Sequence, residues 1–219
     1  MRKASAKSGP PSALPQALPR AKRKLLDAAM ALMLKHGYAA TTVDGICAAA
    51  KLTKGSFFHY FESKEDIAAA TLDHYCAQRA EQMARASFHR EADPLEKFHG
   101  ILDHFITLTS GPKPGSCLLG NVAQELAQTH PRFQRQCADR FGQLASLLAG
   151  ALRAAKVAHP PASDFDPESV ATLFVSVVQG SMLLAKAQRK STVTRENIEH
   201  FRHYMEGLFG RARRRQAGK

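Results

Sequence analysis

Apolar residues recur along this chain at helical spacing, and no segment alternates convincingly with period two, so the pattern predicts an all-α fold of about nine helices. The first stripe, Leu25, Ala28, Ala29, Leu32 and Met33, starts after Arg20 and ends at Gly37, a residue suited to helix C-termini. A shorter stripe of Val43, Ile46, Cys47 and Ala50 follows the hydroxyls of Thr41 and Thr42, which can cap a second helix. Thr53 is placed to cap a third. Ser63 caps a fourth, with Asp66 three positions on in the manner of a capping box, and that helix is expected to run to about His89. Asp93-Pro94 and Asp166-Pro167 mark two later starts, because proline lacks only an N–H that the first helical position does not use. Pro112 with Pro114, and Pro160 with Pro161, mark breaks. Residues 1–19 mix Pro, Ser, Ala and basic groups without periodicity and predict a disordered basic arm.

The second and third helices are separated by only three or four residues, which predicts a helix-turn-helix. The third carries an unusual mixture of rings and polar groups, TKGSFFHYFESKE over residues 53–65. Phe57, Tyr60 and Phe61 stand at i, i+3 and i+4, so rings from this set face the first two helices and fix their angle. The opposite face holds Lys54, Gly55, Ser56, Phe58 and His59 behind Thr53. Lys54 lies at a helix N-terminus, where a cation is unfavourable unless an anion such as a phosphate or a guanine edge is near. Gly55 permits close backbone approach, Ser56 and His59 can donate to phosphate, and Phe58 can pack on a thymine methyl or a sugar.

Charge sharpens this picture. The net charge is +12, and residues 1–64 hold eleven Lys/Arg against three Asp/Glu, while Arg211–Lys219 adds five more basic groups. The stretch between is nearly neutral, with 15 basic and 16 acidic residues. A neutral body with basic ends points to a polyanion, nucleic acid ahead of an acidic membrane surface. No apolar run approaches the roughly 20 residues of a membrane span, and no signal-peptide pattern opens the chain, so a cytoplasmic location is expected. Cys47, Cys76, Cys117 and Cys137 show no metal-like spacing. The sequence contains no nucleophile elbow, HExxH, phosphate loop or dinucleotide fingerprint, so neither an enzyme nor a cofactor is expected. His200 and His203 with Glu199 lack a further placed ligand, and no metal site is assigned.

The segment TTVDGICAAAKLTKGSFFHYFESKEDI, within a match spanning about residues 20–75, resembles the DNA-binding domain of TetR-type transcriptional regulators. The family pattern reads roughly TTVxxIAxxAGVSxGTFYxYFxSKExL. Three departures stand out: Lys51 occupies the usual turn glycine, Cys47 replaces an alanine, and Phe58 replaces a tyrosine. The resemblance implies that Thr42, Lys64 and the Tyr60 hydroxyl contact the phosphate backbone. It also implies a domain order: basic arm 1–19, helix-turn-helix domain 20–66, helical effector and dimerisation domain 67–210, and basic tail 211–219. An effector in the second domain would tilt the fourth helix and shift the recognition helices. The segment GSCLLGNVAQELA, residues 115–127, resembles the branch containing N-ethylmaleimide- and acrylate-responsive repressors, in which a cysteine at the position of Cys117 senses electrophiles or oxidants. Lys186 resembles the lysine that partners that cysteine. The helix start after a Pro/Gly loop is itself a setting that favours a thiolate.

A single helix-turn-helix reads too few base pairs for useful specificity, so a homodimer on a near-palindrome is expected. Val170, Leu173, Phe174, Val177, Gly180, Ser181 and Leu184 form one apolar stripe, and Ile198, Phe201, Met205 and Leu208 a second. These stripes pair either with a second copy or with the chain's own core. The expected function is a DNA-binding repressor released by a small molecule, with a basic architectural DNA binder as the alternative.

Overall fold

Side-chain caps are found where the hydroxyls and carboxylates predict them. The computed structural model describes residues 18–111 and 115–210; most of the expected basic arm, Pro112 and Pro114, and the basic tail lie outside these residues. Among the described residues there are nine α-helices and no strand: α1 (Arg20–His36), α2 (Val43–Ala50), α3 (Lys54–Tyr60), α4 (Lys64–Ala84), α5 (Pro94–Thr109), α6 (Leu118–Leu126), α7 (Pro131–Ala158), α8 (Pro167–Gln188) and α9 (Thr192–Leu208). Thr42 accepts from the Gly45 amide at 3.0 Å, Thr53 from Ser56 at 3.1 Å, and Ser63 from Asp66 at 3.1 Å. Asp93 accepts from Leu95 and Glu96, and Asp166 from Glu168 and Ser169. Each such cap contributes about 1 kcal/mol by satisfying amides that have no intrahelical partner. Gly37 ends α1 at φ 83°, a conformation that a side chain would strain.

One boundary differs from expectation. α4 ends at Ala84 rather than near His89, and Ser87–Arg90 forms a separate 3₁₀ turn after an extended Ala86. The break sends Phe88 inward, where it is buried over α5. Gly100 supplies the recess, since a Cβ there would lie 2.5 Å from Phe88 Cβ.

The core falls into three clusters. Leu25, Leu26, Ile46, Phe57, Phe61 and Ile67 join α1, α2, α3 and the start of α4. Met33, Leu72 and Tyr75 meet Leu118, Val122 and Leu126 of α6 and Phe133 of α7. Phe98, Leu102, Leu152, Phe174, Ile198 and Met205 bind α5, α7, α8 and α9. α4 feeds the first two clusters with buried residues and the third with Met83, so it runs as a spine through all of them.

The late stripes split between inside and outside. Val170, Phe174, Ser181, Ile198, Phe201 and Met205 are buried within the single chain, so they belong to its own core and not to a free surface. Leu173 and Leu184 stay 43% and 50% exposed, Val177 and Leu208 are half-buried, and Tyr204 is exposed. An α-helix with two apolar faces explains a second departure: α8 is long and apolar enough to cross a membrane by length and composition, with a mean hydropathy of 1.6 over its best window. Its inner face packs between α7 and α9 as a core helix.

Gly100→Ala is expected to lower stability by about 1–3 kcal/mol through overpacking against Phe88, despite alanine's better helix propensity. Thermal unfolding against the parent chain measures it.

Candidate nucleic-acid interface and effector cavity

The turn between α2 and α3 is built from an unusual residue. Lys51 takes φ 55° and ψ 48°, the left-handed conformation that glycine adopts most easily. Leu52 N donates to Cys47 O at 3.0 Å and closes the turn. The Cys47 thiol is buried and points at the Thr53 carbonyl, 3.8 Å away, so its extra volume over alanine fills the angle between the helices.

α3 has two chemically distinct sides. Phe57 and Phe61 are buried, with ring centroids 5.8 Å apart, and Tyr60 is half-buried beside them. Thr53, Lys54, Gly55, Phe58 and His59 are exposed and Ser56 is half-buried. Phe58 is 57% exposed, an unusual position for a ring with no apolar partner on its outer side.

Lys54 already has an anion: its Nζ lies 2.8 Å from Asp44 in the first turn of α2, with both side chains exposed. Asp44, which the sequence reading did not single out, answers the dipole problem in the free chain. An exposed pair of this kind is worth about 0–1 kcal/mol, so a stronger anion can replace it. Lys64 is engaged as well, donating to Ala39 O at 3.0 Å with its ammonium 4.2 Å from the centre of the Tyr38 ring. One donor goes to that carbonyl, and a phosphate would have to share the remaining two. Thr42 is exposed and uses its hydroxyl as the α2 cap. The first turn of α1, Arg20 to Arg23, contains three cations and no acid.

A second polar feature joins this region to the body. The amides of Tyr38 and Ala39 donate to the two carboxylate oxygens of Glu125, at 2.8 and 2.6 Å. Glu125 lies near the C-terminal end of α6, and the Tyr38 ring packs edge-on to Phe133 of α7 at 5.8 Å. Burial, with the charges of Glu65 and Glu125, raises the Tyr38 phenol above its ordinary range. The turn after α1 is thus held from below by α6.

Cys117 sits at the opposite end of α6, at its N-cap with φ −105° and ψ 117°, and its side chain makes no capping bond. It lines a cavity of about 350 Å³ between α4, α5, α6, α7 and α8. Cys117 packs against the cluster that holds the buried Tyr75; burial first, then the neighbouring thiol, pushes that phenol above its usual range. Cys76, on the same cavity wall, is raised by burial. Cys137 is pushed up to about 11 by burial together with Cys76 and Cys117, and Cys47 is raised by burial and Asp44. Lys186 is exposed and shares with Cys117 a smaller recess of about 50 Å³, also lined by Asn121 and Gln179.

Glu125→Ala is expected to cost about 1 kcal/mol of stability, the net worth of charge-assisted but exposed hydrogen bonds. Amide hydrogen exchange at Tyr38 and Ala39 should accelerate while exchange within α8 stays unchanged.

Comparison with known proteins follows the same division. Residues 25–71 match the family of bacterial regulatory proteins described as the tetR family, and residues 94–201 match the tetracyclin repressor-like C-terminal domain. The chain is 27% identical over 176 residues to the transcriptional regulator AcuR of Cereibacter sphaeroides, covering 77% of each chain. It is 23% identical over 180 residues to the HTH-type transcriptional repressor DhaR of a Mycobacterium species, covering 82% of this chain and 87% of that one. Among solved structures, regulatory protein TetR from Rhodobacter sphaeroides superimposes with a TM-score of 0.70 at 25% identity, over 83% of this chain and 96% of that one. The reduced form of Escherichia coli NemR shares the fold with the same score at 21% identity, over 83% and 95%. The relatives are transcriptional regulators and not enzymes. A helix-turn-helix on an aromatic footing and a helical body, each matching its own half of the same family, place this chain in the TetR family of DNA-binding transcriptional regulators.

Proposed function

We propose that the chain is a homodimeric, cytoplasmic repressor that binds a near-palindromic operator through α3 and is released by a small molecule. The observation that carries this reading is the exposed face of α3, where Lys54, Gly55, Phe58 and His59 stand above the buried Phe57 and Phe61. Cations at the starts of α1 and α3 oppose the local helix dipoles and become favourable when phosphates dock there. Thr42, Thr53, Ser56, Tyr60 and Lys64 complete the proposed contact set. Phe58, lacking a tyrosine's hydroxyl, replaces a backbone hydrogen bond with apolar contact to a base or sugar. We assign residues 20–66 to DNA binding and 67–210 to effector binding and dimerisation, with α4 crossing between them.

For the dimer, the outward faces of α8 and α9 supply the surface: Leu173, Val177 and Leu184 on one, Tyr204 and Leu208 on the other. Gly180 and Gly207 lie open on these faces, with nothing within 4 Å of an added Cβ, which lets a partner helix approach closely. Two helices from each copy form the four-helix interface. The buried members of the same stripes, Val170, Phe174, Ser181, Phe201 and Met205, support these helices from within.

For release, the cavity supplies the effector site and Cys117 the reactive group, with Lys186 at the neighbouring recess available to a thiolate. α6 carries Cys117 at one end and Glu125 at the other, so modification at the cavity is transmitted to the turn after α1 as well as to α4. The cavity and this link have no role in an architectural DNA binder.

Lys54→Ala and His59→Ala are each expected to weaken operator binding about tenfold, and Lys54→Ala to reduce the salt dependence by about one phosphate contact, with helical content and dimerisation intact. Titration of a labelled duplex from upstream of the protein's own coding sequence, at two salt concentrations, measures both. Cys117→Ser is expected to keep operator affinity and to lose release by a thiol-reactive compound such as N-ethylmaleimide. Unchanged release removes Cys117 from the mechanism.

A further inference from the structure

The lining of the cavity is one-sided in charge. Arg79 and Arg140 face it, and none of its lining residues is Asp or Glu. Most of the remaining wall is apolar, with Met83, Phe105, Leu119, Phe141, Leu144 and Val178 among the contributors.

The two arginines differ in what they hold. Arg140 is 2.7 Å from Asp73, which takes up its charge. Arg79 donates to the neutral Gln82 at 2.9 Å, with its guanidinium 5.0 Å from the centre of the Tyr75 ring. Among the described residues no carboxylate stands within ion-pair distance of Arg79. Its charge is felt nearby: His104 is held below the ordinary imidazole range by burial first and by Arg79 second. Among the described residues His104 Nε2 is buried without a hydrogen-bond partner.

A half-buried guanidinium without a carboxylate partner at the edge of an apolar cavity is open to an anion, and a planar carboxylate meets its paired N–H groups with matching geometry. The volume is at the low end of ligand pockets, which run about 300–1,000 Å³. From this geometry we infer that the cavity takes a small amphipathic carboxylic acid, a medium-chain or aryl carboxylate, with its anionic end on Arg79 and its apolar body between α5, α6, α7 and α8. The inference rests on the reading of this cavity as the effector site and adds the chemical class of the effector.

Calorimetric titration of the full chain with octanoate, 1-octanol and octylamine tests it. Octanoate should bind at least tenfold more tightly than 1-octanol, and octylamine more weakly than both. Arg79→Gln should bring octanoate down to the level of 1-octanol, and Arg79→Lys should restore part of the preference. Unaltered 1-octanol binding in Arg79→Gln shows that the variant is folded with its cavity intact. Equal binding of acid and alcohol by the parent chain, or a preference that survives Arg79→Gln, overturns the carboxylate assignment and leaves the effector site standing. If neither the acid nor the alcohol binds, both fall. The operator titration of the same sample then shows separately whether the DNA-binding reading holds.

Discussion

Two phenylalanines determine where the recognition helix can stand. α3 spans only seven residues, too few to persist on intrinsic helix propensity, so its existence depends on packing. Phe57 and Phe61 are nearly inaccessible to solvent and lie among Leu25, Leu26, Ile46 and Ile67. Burying one such ring is worth about 1.5–3 kcal/mol, several times the strength of the exposed Lys54–Asp44 pair. The aromatic footing therefore sets the tilt, and the polar side is left to meet a partner.

In the proposed mechanism the same constraint gives the body its leverage. α4 starts under the recognition helix with Ile67, continues through the central cluster with Leu72 and Tyr75, and borders the cavity with Cys76, Arg79 and Met83. α6 touches the cavity at Cys117 and the turn after α1 at Glu125. Close-packed cores shift between discrete arrangements more readily than they deform, so a ligand that favours one setting of α4 and α6 favours one placement of α3. In the proposed mechanism the set of contacts is short: one apolar spine, one carboxylate holding two amides, and one cavity whose walls belong to both helices.

Local chemistry made much of this legible in the sequence. The hydroxyls of Thr42, Thr53 and Ser63 and the carboxylates of Asp93 and Asp166 act within three residues of themselves, so their caps follow from spacing alone. The family pattern has a glycine where Lys51 stands, and that is where the chain turns left-handed. What stayed hidden is long-range. Glu125 holds amides 86 and 87 positions away, and Asp44 reaches Lys54 across the turn, contacts that no periodicity encodes. Helical spacing shows that one face of α8 and α9 is apolar; it does not show that Phe174 and Met205 turn inward while Leu173 and Tyr204 turn out. The early end of α4 was missed because Phe88 leaves the helix for a recess made by Gly100, a partner on another helix.

The central claim is that the exposed side of α3 docks on duplex DNA while the rings beneath it stay buried. Amide hydrogen exchange on the full chain, with and without a duplex from its own upstream region at low ionic strength, tests this most directly. The account predicts slowed exchange over residues 53–59 and at the start of α1. A duplex that binds while leaving α3 unprotected, or that protects only a different surface, contradicts it.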